Sequence, residues 1–145
     1  MKENFNTDHK FKEIEGKNYI YDRLRKKYLL LTPEEWVRQN FLILLIEEKK
    51  YSKNLIKLES GLKYNNLSKR SDILVYDNSG SPFLLVECKA QDVKISKKVL
   101  EQVSRYNLTI KAPFICVTNW SKTYCFEIDF ESNTSRQLKD LPLLI

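Results

Sequence analysis

The sequence predicts one α/β domain in which a mixed β-sheet is flanked by helices. Three observations carry that prediction. Two helical stretches with clear start signals, at about 32–50 and 96–108, bracket a group of strand-like runs. The runs 72–77 and 82–89 are apolar on both faces, as expected of central strands covered from both sides. At 145 residues and 42% hydrophobic content, the chain can bury one core and has little left for a second domain.

Taken in order, residues 1–30 read as an N-terminal extension, either a flexible arm or an irregular segment packed on the core. They interleave Lys10, Lys12, Lys17, Arg23, Arg25, Lys26 and Lys27 with Phe11, Tyr19, Tyr21 and Tyr28. That mixture suits a surface tracking a nucleic-acid backbone, and it suits a solvated leader equally well. The core is expected over 31–130. It starts at Thr32-Pro33-Glu34-Glu35, where threonine is the N-cap, proline takes the first helical position and glutamate stands at N3 of a capping box. Trp36, Val37, Phe41, Leu42, Leu44, Leu45 and Ile46 then give the helix a wide apolar stripe that a sheet must cover.

Residues 55–59 read as a first strand and 61–69 as a polar loop. The runs 72–77 and 82–89 follow, separated by Asn78-Ser79-Gly80-Ser81, which is hairpin turn chemistry. Ser96 caps the second helix, with Val99, Leu100, Val103 and Tyr106 toward one side. Residues 113–118 and 123–129 are the last strands, and 131–145 form a polar C-terminal tail. There is no internal repeat.

Composition narrows the function. The net charge is +6, and the excess lies in the first half: through Arg70 there are sixteen Lys/Arg against ten Asp/Glu, and beyond it nine against nine. Such asymmetry suits a phosphate-bearing partner. Cys88, Cys116 and Cys125 are an odd set without CxxC spacing in apolar runs, which points to reduced core thiols and a cytoplasmic protein. The start lacks the apolar stretch of a signal peptide, and the longest apolar run, 41–46, is too short to cross a bilayer. His9 is the only histidine, so histidine-dependent nuclease, triad and zinc mechanisms have no material. No P-loop is present.

Register decides whether the acids can meet. In a hairpin symmetric about Ser79-Gly80, Asp77 faces Pro82, Tyr76 faces Phe83, Leu74 faces Leu85 and Asp72 faces Glu87. Lys89, two residues beyond Glu87, falls on the same side of the pleat. Two carboxylates facing each other across a ladder repel, and a hard divalent cation between them removes the conflict. The expected ligands are Asp72, Glu87 and the backbone carbonyl of Cys88, for Mg²⁺ with Mn²⁺ as a substitute. Lys89 would orient or help deprotonate the attacking water and offset transition-state charge.

Ser71-Asp72 followed by Glu87-Cys88-Lys89 resembles the D…ExK signature of the PD-(D/E)XK nuclease superfamily, with serine where the name has proline. More narrowly, residues 70–77, Val86-Glu87-Cys88-Lys89-Ala90, Gln102-Val103-Ser104-Arg105-Tyr106 and Val117-Thr118-Asn119 are similar to the N-terminal nuclease domain of type I restriction enzyme R subunits. The similarity spans about 32–129. It implies a restriction-endonuclease-like mixed sheet in the order α-β-β-β-α-β, and Mg-dependent hydrolysis of DNA phosphodiesters. Residue by residue, it implies metal-binding roles for Asp72 and Glu87, a catalytic role for Lys89, and the QxxxY element for Gln102 and Tyr106. Glu35 matches an acid on the first helix that assists the metal, although the capping box accounts for it as well. Lys69, Arg70 and Arg105 are candidate DNA contacts. That family joins its nuclease to an ATP-driven motor, of which these residues show no trace, so the resemblance carries the nuclease fold further than the restriction role. It leaves a homodimer open, since a double-strand break needs two sites. The alternative is a non-catalytic DNA- or protein-binding module of the same fold.

Overall fold

Residues 11–30 of the N-terminal extension form three strands, contrary to the expectation of an arm or irregular segment. The computed structural model describes residues 9–59, 62–64, 67–69 and 72–144, with positions 59, 62–64, 67–69 and 72 described by their backbone alone. Strands β1 (Phe11–Ile14), β2 (Lys17–Asp22) and β3 (Lys27–Leu30) form an antiparallel sheet of their own. Glu15 and Gly16, both at positive φ, make the first turn. The inner face carries Ile20 and Asp22, both fully buried. No periodic apolar pattern marks so short a meander, because its buried positions are confined to two residues of β2.

Helix α1 (Pro33–Ile43) begins as the sequence predicts: the Thr32 hydroxyl accepts from the Glu35 backbone N–H at 3.0 Å, a cap that contributes about 1 kcal/mol. It gives way to a π-helical turn over Leu44–Glu48, short of Lys50. Strand β4 (Ile56–Glu59) follows, and the expected polar loop contains a small hairpin, β5 (Leu62–Tyr64) and β6 (Leu67–Lys69). Strands β7 (Asp72–Tyr76) and β8 (Pro82–Cys88) are the central hairpin. Helix α2 (Lys97–Ile110) starts at Ser96, whose hydroxyl accepts from Val99 N–H at 3.3 Å, and ends with Lys111 left-handed at φ 62°. The buried Asn107 side chain closes that end by bonding both backbone groups of Ala112 at 2.9 Å.

Strands β9 (Phe114–Thr118), β10 (Thr123–Asp129) and β11 (Thr134–Leu138) complete the main sheet, whose order is β11-β10-β9-β8-β7-β4. The polar tail therefore supplies an edge strand, an assignment its fully polar start had hidden. Only β8 and β9 run parallel, joined through α2; the mixed α/β character of the prediction holds.

Each face of the sheet has its own core. Ile73, Val75, Leu84, Val86, Cys88 and Cys116 pack against Val37, Phe41 and Leu45 of the α1 layer. Leu74, Leu85, Ile115 and Val117 pack against Val103 and Tyr106 of α2. Alternate residues of β7 and β8 thus go to opposite layers, which explains why these runs are apolar throughout. Cys88, Cys116 and Cys125 are buried among these residues, with no disulfide between them.

Candidate active site

The hairpin register brings the two acidic positions together. Asp72 pairs directly with Glu87, Leu74 with Leu85 and Val75 with Leu84. Toward the turn the pairing shifts, so that Tyr76 faces Pro82 and not Phe83, a one-residue bulge that the symmetric expectation had missed. The bulge takes up the slip before it reaches the acidic end. Asp77 secures the turn, its carboxylate accepting from Ser79 N–H at 2.9 Å and Ser81 N–H at 3.0 Å.

Glu87 is 5% exposed although it sits one residue from the end of β8. It shares a face with Leu85, two residues earlier, and hence lies on the α2 side of the sheet. Asp72, two residues from Leu74, occupies a position on that same face by register. The Lys89 ammonium stands 3.3 Å from the Glu87 carboxylate, with the lysine side chain 28% exposed. One end of the ion pair is thus sealed in protein and the other opens to solvent.

Backbone bonds hold this corner. Lys89 N–H donates to Thr118 O at 2.8 Å, extending the β8–β9 pairing one residue past the strand. Asn119, itself buried, donates from its amide to Val93 O at 2.9 Å and accepts from Lys122 N–H at 2.8 Å. The segment carrying Lys89 is therefore tied to the end of β9 at two points. Reading the sequence by its acids and lysine did not assign Thr118 and Asn119 this clamping role. The available signal was Thr-Asn directly after an apolar strand, a pairing that favours side-chain to backbone bonds.

Of the other expected site residues, Gln102 lies exposed on α2, while Tyr106 is buried against Leu74 and Leu85. Both belong to the helix that covers the Glu87 face. Arg105 is exposed on the same helix, beside Lys97 and Phe126 at the rim of a groove. Glu35 is elsewhere. It belongs to α1, on the opposite face of the sheet, and its carboxylate accepts from Arg38 Nε at 2.8 Å and Gln39 Nε2 at 3.0 Å. Trp36, its neighbour, meets Trp120 edge to face with ring centroids 6.3 Å apart. The first turn of α1 accordingly reaches the same end of the sheet as Lys89, from the other layer.

Arg70 lies outside the described residues, and for Lys69 and Asp72 the backbone position is what the structure provides. Among the described residues, no group of three histidine, cysteine, aspartate or glutamate side chains is placed to hold a metal. No helix among them is long and apolar enough to cross a membrane.

No curated protein matches the chain. Residues 33–142, from the first residue of α1 to just beyond β11, match the family model described as type I restriction enzyme R protein N terminus. The match contains the paired hairpin, the Glu87–Lys89 corner, α2 and the β9 clamp, and omits the N-terminal three-stranded sheet. The chain belongs to the type I restriction enzyme R protein N-terminal family.

Proposed function

We propose that this chain is a Mg²⁺-dependent endodeoxyribonuclease, with Asp72, Glu87 and Lys89 as its centre. The observation that carries the reading is the direct pairing of Asp72 with Glu87, next to a lysine whose ammonium is already held against the buried glutamate. Two acidic positions facing each other across the ladder leave a repulsion between like charges. A divalent cation corrects it and takes oxygen ligands of the kind offered, the two carboxylates and the Cys88 backbone carbonyl at the strand end. The donor chemistry fits magnesium, with manganese able to replace it. Bound there, the ion would polarise the phosphate and lower the charge barrier to attack.

The chain's own groups would do the remaining work. Lys89 is positioned by Glu87 and by its backbone bond to Thr118, with its solvent-facing side open to a phosphate. It would orient the attacking water and offset the charge that develops on the phosphoryl oxygens. Gln102, exposed on the covering helix, would donate a hydrogen bond from its amide to phosphate or water. Tyr106 is buried, so its part is to seat α2 on the sheet. Lys69, Arg70 and Arg105 are the proposed DNA contacts, and membership of a restriction-enzyme family supports DNA as the substrate.

The test is nicking of supercoiled plasmid by purified protein. Cleavage should require Mg²⁺ or Mn²⁺, stop with EDTA, and vanish in Asp72→Ala and Lys89→Ala variants whose circular dichroism is native. Undiminished cleavage in both variants removes the site. The Glu87–Lys89 pair also permits a second reading, in which the charges satisfy each other in a non-catalytic binding module. Calorimetric titration with Mn²⁺ separates the two, because the binding module takes up no stoichiometric metal.

A further inference from the structure

The three-stranded N-terminal sheet presents two unlike faces. Ile20 and Asp22 on the inner face are fully buried against the domain. The outer face carries lysines and tyrosines together with Ile14 and Leu30. Tyr21 pairs directly with Tyr28, and Tyr21 N–H bonds to Lys10 O at 2.9 Å, so Lys10, Tyr21 and Tyr28 form one row across the sheet. Lys12, Tyr19 and Leu30 form the next. The Tyr21 and Tyr28 rings meet edge to face with centroids 5.1 Å apart. Lys10 lies over the Tyr21 ring at 5.7 Å, and Lys12 over Tyr28 at 5.4 Å. Tyr28 and Leu30 are 37% and 48% exposed.

Such a face is poor in carboxylates. Over residues 9–31 there are seven Lys/Arg against three Asp/Glu. Asp22 among the three is buried and bonded to Arg25. Glu13 and Glu15 lie at the β1–β2 turn, away from the tyrosine row. Aromatic rings on a flat sheet surrounded by ammonium groups are what an unpaired nucleotide strand requires, since its bases have free faces and its phosphates need cations. A duplex offers no such faces, because each base is already stacked on its neighbours. Exposed cation–π contacts are weak, so an incoming base can take the ring while the displaced ammonium moves to the adjacent phosphate.

We propose that the outer face of the β1–β2–β3 sheet is a binding platform for single-stranded DNA. Tyr21 and Tyr28 stack unpaired bases, and Lys10, Lys12 and Lys17 hold the phosphates. The platform lies outside the 33–142 family match and needs no metal, so it stands or falls separately from the cleavage centre. Its function would be to hold a strand displaced or unwound beside the nuclease core.

Fluorescence anisotropy with labelled oligo(dT), the equivalent duplex and oligo(U), all in EDTA, tests it with the full chain. Oligo(dT) should bind most tightly, with a logarithmic salt slope of roughly −2 for three phosphate contacts. Tyr21→Ala and Tyr28→Ala should each weaken binding on the order of tenfold, while Tyr21→Phe and Tyr28→Phe retain it. Photocross-linking of wild-type protein to 5-iododeoxyuridine-substituted oligonucleotide supplies a readout that needs no variant, and the adducts should fall on Tyr21 or Tyr28. Equal affinity for duplex, tighter binding to oligo(U), absence of binding, or cross-links confined to the α2 face would each overturn the proposal.

Discussion

Two places in this molecule put charged side chains out of water, and they balance differently. Where the N-terminal sheet meets α1, Asp22 and Glu35 face Arg25 and Arg38, acids and bases two against two. Asp22 also accepts from the Leu24 and Arg25 backbone N–H groups at 2.9 Å. At the end of β8, by contrast, Glu87 is paired in register with another acid, and the Lys89 ammonium stands 3.3 Å from its carboxylate. The first arrangement matches acid against base, although Arg38 Nη1 is buried there without a hydrogen-bond partner among the described residues. Burial of charge alone therefore does not mark a site; what sets the second place apart is two acidic positions facing each other beside a lysine that reaches solvent.

The sharpest way to break this comparison is at the Arg38 network. Arg38→Ala leaves the fully buried Asp22 and the partly buried Glu35 short of a partner, and should lower stability by about 3–5 kcal/mol, read from urea unfolding. A loss well under that range would mean that the matched charges contribute little. Lys89→Ala removes a cation that is 28% exposed and should cost less stability, about 1–3 kcal/mol. Mg²⁺-dependent nicking should fall on the order of 10²–10³-fold, measured on supercoiled plasmid.

Glu35 decides on which side of the comparison the first helix belongs. Bound by Arg38 and Gln39, it should behave as a network member: Glu35→Gln is expected to cost about 1–3 kcal/mol of stability. Cleavage per folded molecule should be unchanged. A drop in cleavage without a drop in stability would instead move Glu35 into the active centre. The smallest effect belongs to Asp77, an exposed turn residue. Its bond to the Ser79 hydroxyl, followed by the backbone bond to Ser81, holds its carboxyl below the usual range. Because the folded value is depressed, its stabilisation is present above the unfolded value and disappears as pH falls through the folded one, below about pH 4. Asp77→Ala should flatten that part of the unfolding-against-pH curve and leave the neutral-pH cleavage rate intact.

Local chemistry explains which features could be read in advance. The Thr32 and Ser96 caps, the apolar stripe of α1 and the hairpin turn at Asn78-Ser79-Gly80-Ser81 depend on residues within a few positions of each other. So does the alternation that sends Leu74 and Leu85 to one layer and Ile73 and Val86 to the other. The pairing of Asp72 with Glu87 follows from the same local count, and it survived a bulge at Tyr76 because the bulge lies nearer the turn than the acids do.

The sheet formed by residues 11–30 and the edge strand 134–138 escaped, since they carry too few buried positions to show a period. The clamp through Thr118 and Asn119 escaped for a different reason: it joins segments 26 residues apart. Glu35 shows the limit most clearly. Its place in a capping box and its match to a family acid were both visible along the chain, yet the partners that occupy its carboxylate depend on how α1 meets the N-terminal sheet.

By itself, then, the amino-acid order determined two capped helices, a hairpin with facing acids and a lysine on their side of the pleat, because these are short-range consequences of residue type and spacing. Tertiary structure alone decided that Glu87 is buried against Lys89, that α2 roofs that face and not the other, and that Glu35 is engaged by arginine. Those outcomes rest on contacts between segments distant in sequence, where packing and charge balance select one arrangement among many that local rules allow.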